Sequence, residues 1–423
     1  MSNTRLFVLI LLLPVIFLSG CCESFQSGSC MLAGTKYVIT DFGAIGDNST
    51  LNTEAIQSAI DKCHTNGGGV LVIPEGTFLT GSVFFKQGVD LYLEKGAVLK
   101  GTVNPDDYPQ VSTRWEGEEM VWVAALVNFF DMTDVEIAGE GMIDGSGDQW
   151  MQRYPRDSEE LKTGRPRLIA IQNCKDVNVR DFSFKNQACW GLFVLYSHDV
   201  TIRNLTIRAE HDIISSDGID IDSCDEVRIT GCDIDVNDDC IAIKSGKDED
   251  GLRVNRPAEN IVIDNCRFRY GHGGVSMGSE MSGGIRNVVI RDCVMDSDNW
   301  APIRFKSQPS RGGVVENITY KNIKLNGTKQ AFEFNMAWRM RPPIKPPADP
   351  LPVVRNVKII NVSGTVDSAG YIYGLDDSPV ENVTFKNCGI KANKGLKLKN
   401  IDMLDLSGLD ISVKEGEPTI SRE

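Results

Sequence analysis

The sequence lacks a basic tract that could balance its acidic side chains. Asp and Glu number 58 against 44 for Lys and Arg, which leaves a formal net charge of −14. The acidic balance therefore argues against nucleic acid as a partner, and we predict no binding of nucleic acid. A locally basic cleft remains compatible with this balance, because net charge says nothing about one site.

Beyond residue 18, the sequence also lacks any apolar run long enough for a membrane-spanning helix. The run from Leu6 to Leu18 follows Arg5 and is too short to span a bilayer comfortably, so it predicts a signal peptide over residues 1–21. Its ending, Leu18-Ser19-Gly20-Cys21, resembles a bacterial lipoprotein cleavage box. A lipid on Cys21 would then be the one membrane contact, with residues 22–36 as a tether. Ordinary cleavage and full secretion is the alternative. Both readings predict an exported protein, and the first predicts one at the periplasmic or outer-membrane surface.

Helical patterns are scarce, and only one clear helix is predicted. It covers residues 53–61, with Asn52 or Thr53 as its cap and an apolar stripe of Ile56, Ala59 and Ile60. The glycine triplet 67–69 ends it. No Lys-Ser/Thr follows that triplet, so it predicts a turn rather than a phosphate-binding loop.

From Val70 onward, short strands follow one another and a repeat emerges. Its unit is roughly Asn/Asp-Val-x-Ile-x-Asn-Cys-x-Ile, and it starts at Val135. The leading apolar residue recurs at Val177, Val200, Val227, Ile261, Val288, Ile318, Val357, Val383 and Ile401. Strand chemistry at such a period predicts a solenoid whose units cover each other's apolar edges. We therefore predict an all-β fold, a single-stranded right-handed parallel β-helix over residues 37–415, with the helix capping its N-terminal end.

The twelve cysteines show no CxxC pair with metal-ligand spacing. Six of them fall at fixed repeat positions: Cys232, Cys266, Cys293 and Cys388 at one, Cys174 and Cys224 at another. This pattern predicts a ladder of buried free thiols, and disulfides are the alternative for an exported chain. The Asn-x-Ser/Thr matches at Asn204, Asn317 and Asn382 also fall inside the repeat and predict turn residues.

Four polar blocks fall on consecutive turns of the predicted solenoid. They are Ser215-Ser216-Asp217-Gly218, Asn237-Asp238-Asp239-Cys240, Gly271-His272-Gly273-Gly274 and Ile303-Arg304-Phe305-Lys306. Their spacings match the local repeat, so all four should project from one face. Carboxylates crowded in this way are costly to ionise together, which an acid/base catalyst can use.

These blocks resemble the signature of glycoside hydrolase family 28, which contains polygalacturonases and rhamnogalacturonan hydrolases. The family pattern is Asn-Thr-Asp, Asp-Asp, Gly-His-Gly and Arg-Ile-Lys; here Ser215-Ser216 replaces Asn-Thr and Phe305 replaces Ile. The resemblance covers about residues 37–400. It implies inverting hydrolysis of α-1,4-linked galacturonic acid with no cofactor or metal. It also implies that Asp238 is the general acid, that Asp217 and Asp239 activate water, and that His272 contacts the acid or the substrate. We expect the fields of Asp217 and Asp239 to raise the pKa of Asp238, and a carboxyl gap of roughly 6.5–9.5 Å.

Substrate contacts are predicted at cationic residues near these blocks. Arg304 and Lys306 are two apart on a strand and share a face, so both can bind a galacturonate carboxylate. The loop 247–256 should line the cleft, with Arg253 or Arg256 near the substrate. Insertions around 115–122 and 150–167 could close one end of the cleft, and the block Gly278–Gly284 is similar to exo-acting members.

Three alternatives stay open from the sequence. A rhamnogalacturonan-type galacturonidase would share the site. A calcium-dependent pectate lyase would share the fold but bind Ca²⁺ and leave an unsaturated product. A non-catalytic β-helical pectin-binding protein would not need the six polar residues together. The partner predicted in each case is a galacturonate-containing saccharide, and the protein is predicted to be a monomer.

Overall fold

Strands dominate the computed structural model, which describes residues 32–155, 158, 161, 164–296, 299–339 and 345–422. The predicted signal peptide, Cys21 and most of the tether lie outside these residues. Within them, no helix is long and apolar enough to cross a membrane.

The strands and helices are as follows in chain order. The strands are β1 (Lys36–Val38), β2 (Asp47–Leu51), β3 (Gly69–Ile73), β4 (Gly76–Thr80), β5 (Val83–Phe84), β6 (Val89–Leu93), β7 (Ala97–Gly101), β8 (Gln110–Trp115), β9 (Glu118–Val123), β10 (Val127–Phe130), β11 (Thr133–Gly139), β12 (Met142–Asp144), β13 (Ile169–Gln172), β14 (Lys175–Arg180), β15 (Ser183–Lys185), β16 (Leu192–Leu195), β17 (His198–Arg203), β18 (Thr206–Arg208), β19 (Ile219–Asp222), β20 (Asp225–Thr230), β21 (Asp233–Asp235), β22 (Asp239–Lys244), β23 (Ala258–Asp264), β24 (Arg267–Phe268), β25 (Gly271–Met277), β26 (Ile285–Asp296), β27 (Asn299–Lys306), β28 (Val314–Asn335), β29 (Val353–Tyr373), β30 (Val380–Lys386), β31 (Cys388–Lys399), β32 (Ile401–Asp405) and β33 (Leu409–Arg422). The helices are α1 (Thr53–Thr65), α2 (Gly147–Arg153) and α3 (Asp248–Val254), with 3₁₀ turns at Ile39–Phe42 and Pro105–Asp107.

The strands stack into three parallel faces, each contributing about one strand per coil. Face A contains β1, β3, β6, β11, β14, β17, β20, β23, β30 and β32, with the first parts of β26, β28 and β29. Face B contains β2, β4, β7, β12, β15, β18, β21 and β24, and then the end of β26, the middle of β28 and β29, and the beginning of β31 and β33. Face C contains β5, β10, β13, β16, β19, β22, β25 and β27, and then the ends of β28, β29, β31 and β33. The predicted parallel β-helix is confirmed, with the right-handed coil that parallel connections favour.

The repeat predicted from the sequence sets the register of face A. Val177, Val200, Val227, Ile261 and Val288 are successive partners in this stack, and each is at least 98% buried. Because each coil exposes an apolar edge only to its neighbours, one continuous core runs the length of the stack.

The predicted capping helix is present and longer than predicted. α1 runs to Thr65 rather than residue 61, because Cys63 extends the buried stripe and the glycine turn begins only at Gly67. Asn52 is the cap residue, but its side chain bonds to the backbone of Ile45 and Leu79 instead of to the helix. α1 packs against the core and covers the first coil.

The cysteine and asparagine predictions follow from the same stacking. All nine cysteines among the described residues are buried and free: Cys63, Cys174, Cys189, Cys224, Cys232, Cys240, Cys266, Cys293 and Cys388. Asn204, Asn317 and Asn382 adopt left-handed turn conformations. The amide of Asn317 donates to Asn287 at 3.1 Å, and that of Asn382 to Asn356 at 2.8 Å, so these residues hold turns together.

One antiparallel hairpin, β8–β9, interrupts the coils and packs over face C. The Arg114 guanidinium reaches Asp222 at the end of β19, with Nη1 2.6 Å from Oδ1. Trp115 lies between Trp122 and Trp190, each ring 4.8 Å away between centroids. The hairpin therefore covers the floor of face C at β16 and β19, on the N-terminal side of the acidic blocks.

Candidate active site

Face C brings the four predicted blocks together. Asp239 begins β22 and pairs in register with Gly273 of β25, which pairs with Ala301 of β27. Asp217 lies just before β19, the preceding strand. One cleft of about 610 Å³ is lined by all six predicted residues, namely Asp217, Asp238, Asp239, His272, Arg304 and Lys306.

The three carboxylates are closer together than expected. Asp217, Asp238 and Asp239 each offer an oxygen, and these oxygens lie within 4.8 Å of one another. A typical inverting pair is roughly 6.5–9.5 Å apart, so the predicted gap does not describe the nearest oxygens here. The crowding means that the three groups share their protons as one coupled set.

Asp239 is the carboxylate that the site keeps ionised. Lys306 Nζ lies 2.5 Å from Oδ2, Arg304 Nη1 lies 3.2 Å from Oδ1, and the Ser276 hydroxyl donates to Oδ1 at 2.7 Å. Burial acts to raise the pKa of Asp239, but Lys306 and Arg304 outweigh it and hold that pKa well below its usual range. Arg304 and Lys306 therefore do two things, since they stabilise Asp239 and also line the cleft.

The expected pKa order of the other two aspartates is wrong. Burial, followed by the charges of Asp220 and Asp238, raises the pKa of Asp217 well above its ordinary value. Burial also acts to raise the pKa of Asp238, but its contact with His272 outweighs this and the net direction is downward. His272 Nδ1 lies 3.3 Å from Asp238 Oδ1, and this contact in turn raises the pKa of the imidazole. The physical reason is that Lys306 and Arg304 pair with Asp239 and His272 contacts Asp238. For Asp217, the charge of Lys244 lowers the pKa less than burial and the neighbouring carboxylates raise it.

Sequence reasoning missed a buried charged cluster beneath the cleft. Lys244 Nζ lies 3.5 Å from Asp220 Oδ1 and 3.4 Å from Glu280 Oε2, and it also sits 4.4 Å from the Trp190 ring centroid. Burial raises the pKa of Asp220 to about 7, from an ordinary 3.8, and neither of its oxygens accepts a hydrogen bond from the residues that the structure describes. The alternation Ile219-Asp220-Ile221-Asp222 was the available signal, because it places both acids on the outer side of β19.

We expect the stability of Asp220→Asn, relative to the native protein, to increase as pH rises. A pKa raised from 3.8 to about 7 gives Asp220 a stability contribution that is full below pH 3.8 and lost as pH rises through 7. The amide does not ionise, so the melting temperature of the variant relative to the native protein should increase between pH 4 and pH 8. Thermal melts at both pH values measure this, and Asp225→Asn on the exposed side of the next strand is the control. An equal shift at both pH values would contradict the assignment.

A second missed residue is Glu333, which holds Arg304 from the far side. Glu333 pairs in register with Arg304, and its Oε2 lies 3.1 Å from Arg304 Nε. Its Oε1 accepts a 2.8 Å hydrogen bond from the Tyr371 hydroxyl. Trp338 lies over both cations, with its ring centroid 4.8 Å from Arg304 Cζ and 5.6 Å from Lys306 Nζ. Only register could have identified Glu333, because it is 29 residues from Arg304 in sequence.

The structure does not bring the predicted Arg253 and Arg256 to the cleft. The segment after β22 forms α3, and only its start, Lys247 and Asp248, lines the cleft. The Arg253 guanidinium lies 2.6 Å from both Glu119 and Asp250, and Arg256 donates to the Tyr196 carbonyl at 2.8 Å. Both side chains therefore tie the loop to its neighbours, because acids and a carbonyl lie nearer to them than the cleft does.

Three crowded carboxylates on a parallel β-helix, beside a guanidinium and an ammonium, are suited to acid/base chemistry on an acidic substrate. The family model for glycosyl hydrolases family 28 matches residues 63–408, and the chain belongs to that family.

Individual relatives agree with this assignment. The chain is 30% identical over 387 residues to a probable polygalacturonase of Vitis vinifera, covering 89% of this chain and 78% of that one. It is 29% identical to the exo-poly-alpha-D-galacturonosidase of Dickeya chrysanthemi, over 71% of this chain and 57% of the relative. The crystal structure of a hyperthermoactive exopolygalacturonase from Thermotoga maritima superposes with a TM-score of 0.76 at 28% identity, covering 89% of this chain and 93% of that one.

Proposed function

We propose that the protein is an exo-acting polygalacturonase that hydrolyses α-1,4-linked galacturonic acid. One observation carries the proposal: Arg304 and Lys306 stand within 3.2 Å of a buried catalytic-type carboxylate and still line the open cleft. A planar guanidinium and an ammonium side by side suit a sugar carboxylate. This makes a basic subsite on a protein of net charge −14.

Asp238 is the residue placed to protonate the leaving oxygen. Its side chain is 28% exposed, whereas Asp217 and Asp239 are 3% and 1% exposed, so Asp238 presents the most surface to a saccharide of the three carboxylates. Because its pKa is raised, Asp217 is the carboxyl of the three that binds a proton most readily in the free enzyme. When that proton passes to Asp238, Asp217 becomes a carboxylate that can hold the attacking water together with Asp239.

The bonds broken and formed, and the protons transferred, balance in this sequence of steps. Asp238 donates its proton to the glycosidic oxygen as the bond to the anomeric carbon breaks. Water attacks that carbon and gives one proton to the Asp217–Asp239 pair, which restores the proton count of the cluster. Asp238, left ionised, is stabilised by His272 at 3.3 Å. Attack from the opposite side of the sugar gives inversion, which we retain as part of the proposal.

Exo action follows from the hairpin. Because β8–β9 is packed on face C at β16 and β19, the floor of the cleft is blocked on that side of Asp217. A polymer can therefore enter with its end against the hairpin but cannot pass beneath it. An endo-acting enzyme needs a groove that is open at both ends.

The test is digestion of a defined tetragalacturonide in excess chelator, followed by product analysis and proton NMR. We expect monogalacturonate or one fixed short product from the first time point, the β-anomer as the initial species, and no ultraviolet-absorbing double bond. Release of monogalacturonate leaves trigalacturonate, so cleavage at more than one bond of the tetramer at the first time point would contradict exo action, and an α-anomer would contradict inversion. Loss of activity in chelator with an unsaturated product would favour a calcium-dependent lyase. Because both oxygens of Asp239 already contact cations, the site as folded disfavours that outcome. Cleavage of rhamnogalacturonan but not of the tetragalacturonide would favour the rhamnogalacturonan-type alternative.

A further inference from the structure

Face C does not end at the catalytic cluster but continues through four more coils. Arg304 pairs in register with Glu333, which pairs with Tyr371, which pairs with Lys397. A parallel column runs from Lys306 through Asn335 and Tyr373 to Lys399. The residues between the two columns are buried in the core, namely Phe305, Phe334, Ile372 and Leu398. Strand alternation therefore places both columns on the outer side of face C.

The outer residues change character along these columns. Glu333 is buried and bonded to Arg304 and Tyr371, so it presents little free negative charge. Tyr371 and Tyr373 form an aromatic pair with ring centroids 4.8 Å apart. Beyond them, Lys397 makes no ion pair within the part of the chain that the structure describes. Lys399 has one weak contact, 3.6 Å to Asp376, whose side chain is 82% exposed.

We propose that Tyr371, Tyr373, Lys397 and Lys399 form a polyuronate track that binds the distal sugars of the substrate chain. The inference rests on the proposed function and deepens it, because it states where the polymer lies while its end is cleaved. Sugar faces would pack on the tyrosine pair, and galacturonate carboxylates would contact the two ammonium groups.

Geometry favours this direction for the polymer. The hairpin blocks face C on the N-terminal side of the cluster, so a chain cleaved at Asp238 can extend only along later coils. Three coil steps of about 4.8 Å separate Arg304 from Lys397, or about 14 Å in all. A dimer that spans the cleaved bond would leave the lysines uncovered, whereas a polymer would reach them.

The experiment compares Lys397→Gln/Lys399→Gln with the native enzyme on digalacturonate and on polygalacturonic acid. We expect the KM for the polymer to rise about three- to tenfold, since each lysine is a solvent-exposed charge contact. The KM for the dimer and both kcat values should stay within error. Added salt should raise the polymer KM of the native enzyme toward that of the variant. Tyr373→Leu should shift the polymer KM in the same direction.

The matched control is Lys391→Gln/Lys394→Gln, which removes two exposed lysines from the same strand before it turns onto face C. An equal rise in KM for the control would overturn the track in favour of a general charge effect. Unchanged polymer kinetics in Lys397→Gln/Lys399→Gln would also overturn it. Electrophoresis in gels that contain polygalacturonic acid separates this inference from the proposed function. Weaker retardation of the first variant alone supports the track even if the native protein hydrolyses none of these substrates, and equal retardation of all three proteins overturns it.

Discussion

Replacing Asp238 by Asn should lower kcat by about 10²–10⁴-fold, the range that a positioned general acid typically contributes. The amide fills the same space beside His272 but has no proton to give the leaving oxygen. KM should change little, because Arg304 and Lys306 are untouched. The melting temperature should also stay close to native, since the Asp238 side chain is 28% exposed and its loss leaves no buried charge. Steady-state kinetics on tetragalacturonide and a thermal melt measure both quantities.

The matched control for this change is Asp235→Asn. Asp235 lies three residues earlier, at the end of β21, and contacts His211 outside the catalytic cleft. Its replacement should leave kcat within twofold of native. If Asp238→Asn retains activity, the acid is another member of the cluster. Asp217, which holds the raised pKa in the free enzyme, would then be the first candidate.

The coil architecture could be predicted because a solenoid repeats one local rule. The apolar residue at Val177 and its counterparts each need the same neighbour one coil away, so the period itself carries the register. The site followed from that register, because four polar blocks with matching spacings must meet on one face. Cysteines and asparagines at fixed repeat positions became thiol and amide ladders for the same reason.

The parts that could not be predicted depend on distances that no repeat fixes. Arg253 was expected near substrate, but it forms an ion pair with Glu119 of the inserted hairpin. The hairpin lies outside the repeat, so the repeat period could not predict where Glu119 would lie. The pKa order of Asp217 and Asp238 was reversed for a similar reason. It depends on which cation faces which carboxylate, and that is decided by side-chain positions of 2.5–3.3 Å.

The second large effect is expected at Arg114, which fastens the hairpin to face C. Arg114 and Asp222 are both fully buried, with Nη1 2.6 Å from Oδ1, and Arg114 also donates to Ser223 at 2.8 Å and to the Tyr196 hydroxyl at 2.5 Å. Arg114→Leu leaves the Asp222 carboxylate buried without its cation, which typically costs about 3–5 kcal/mol. We expect a marked fall in melting temperature and, because the hairpin loses its anchor, a mixture of product lengths from polygalacturonic acid.

The double variant Arg114→Leu/Asp222→Leu separates the charge from the packing. Removing both partners leaves no buried charge, and such replacements are often neutral or stabilising, so the melting temperature should recover most of the loss. The products should also return to a single length if apolar contacts of Trp115 with Trp190 suffice to hold the hairpin down. A double variant as unstable as Arg114→Leu would show that the hydrogen bonds to Ser223 and Tyr196, and not the buried charge, dominate. If Arg114→Leu gives the same products as the native enzyme, the groove is still closed at its N-terminal end without the Arg114 anchor. That outcome would contradict the role of the anchored hairpin in exo action.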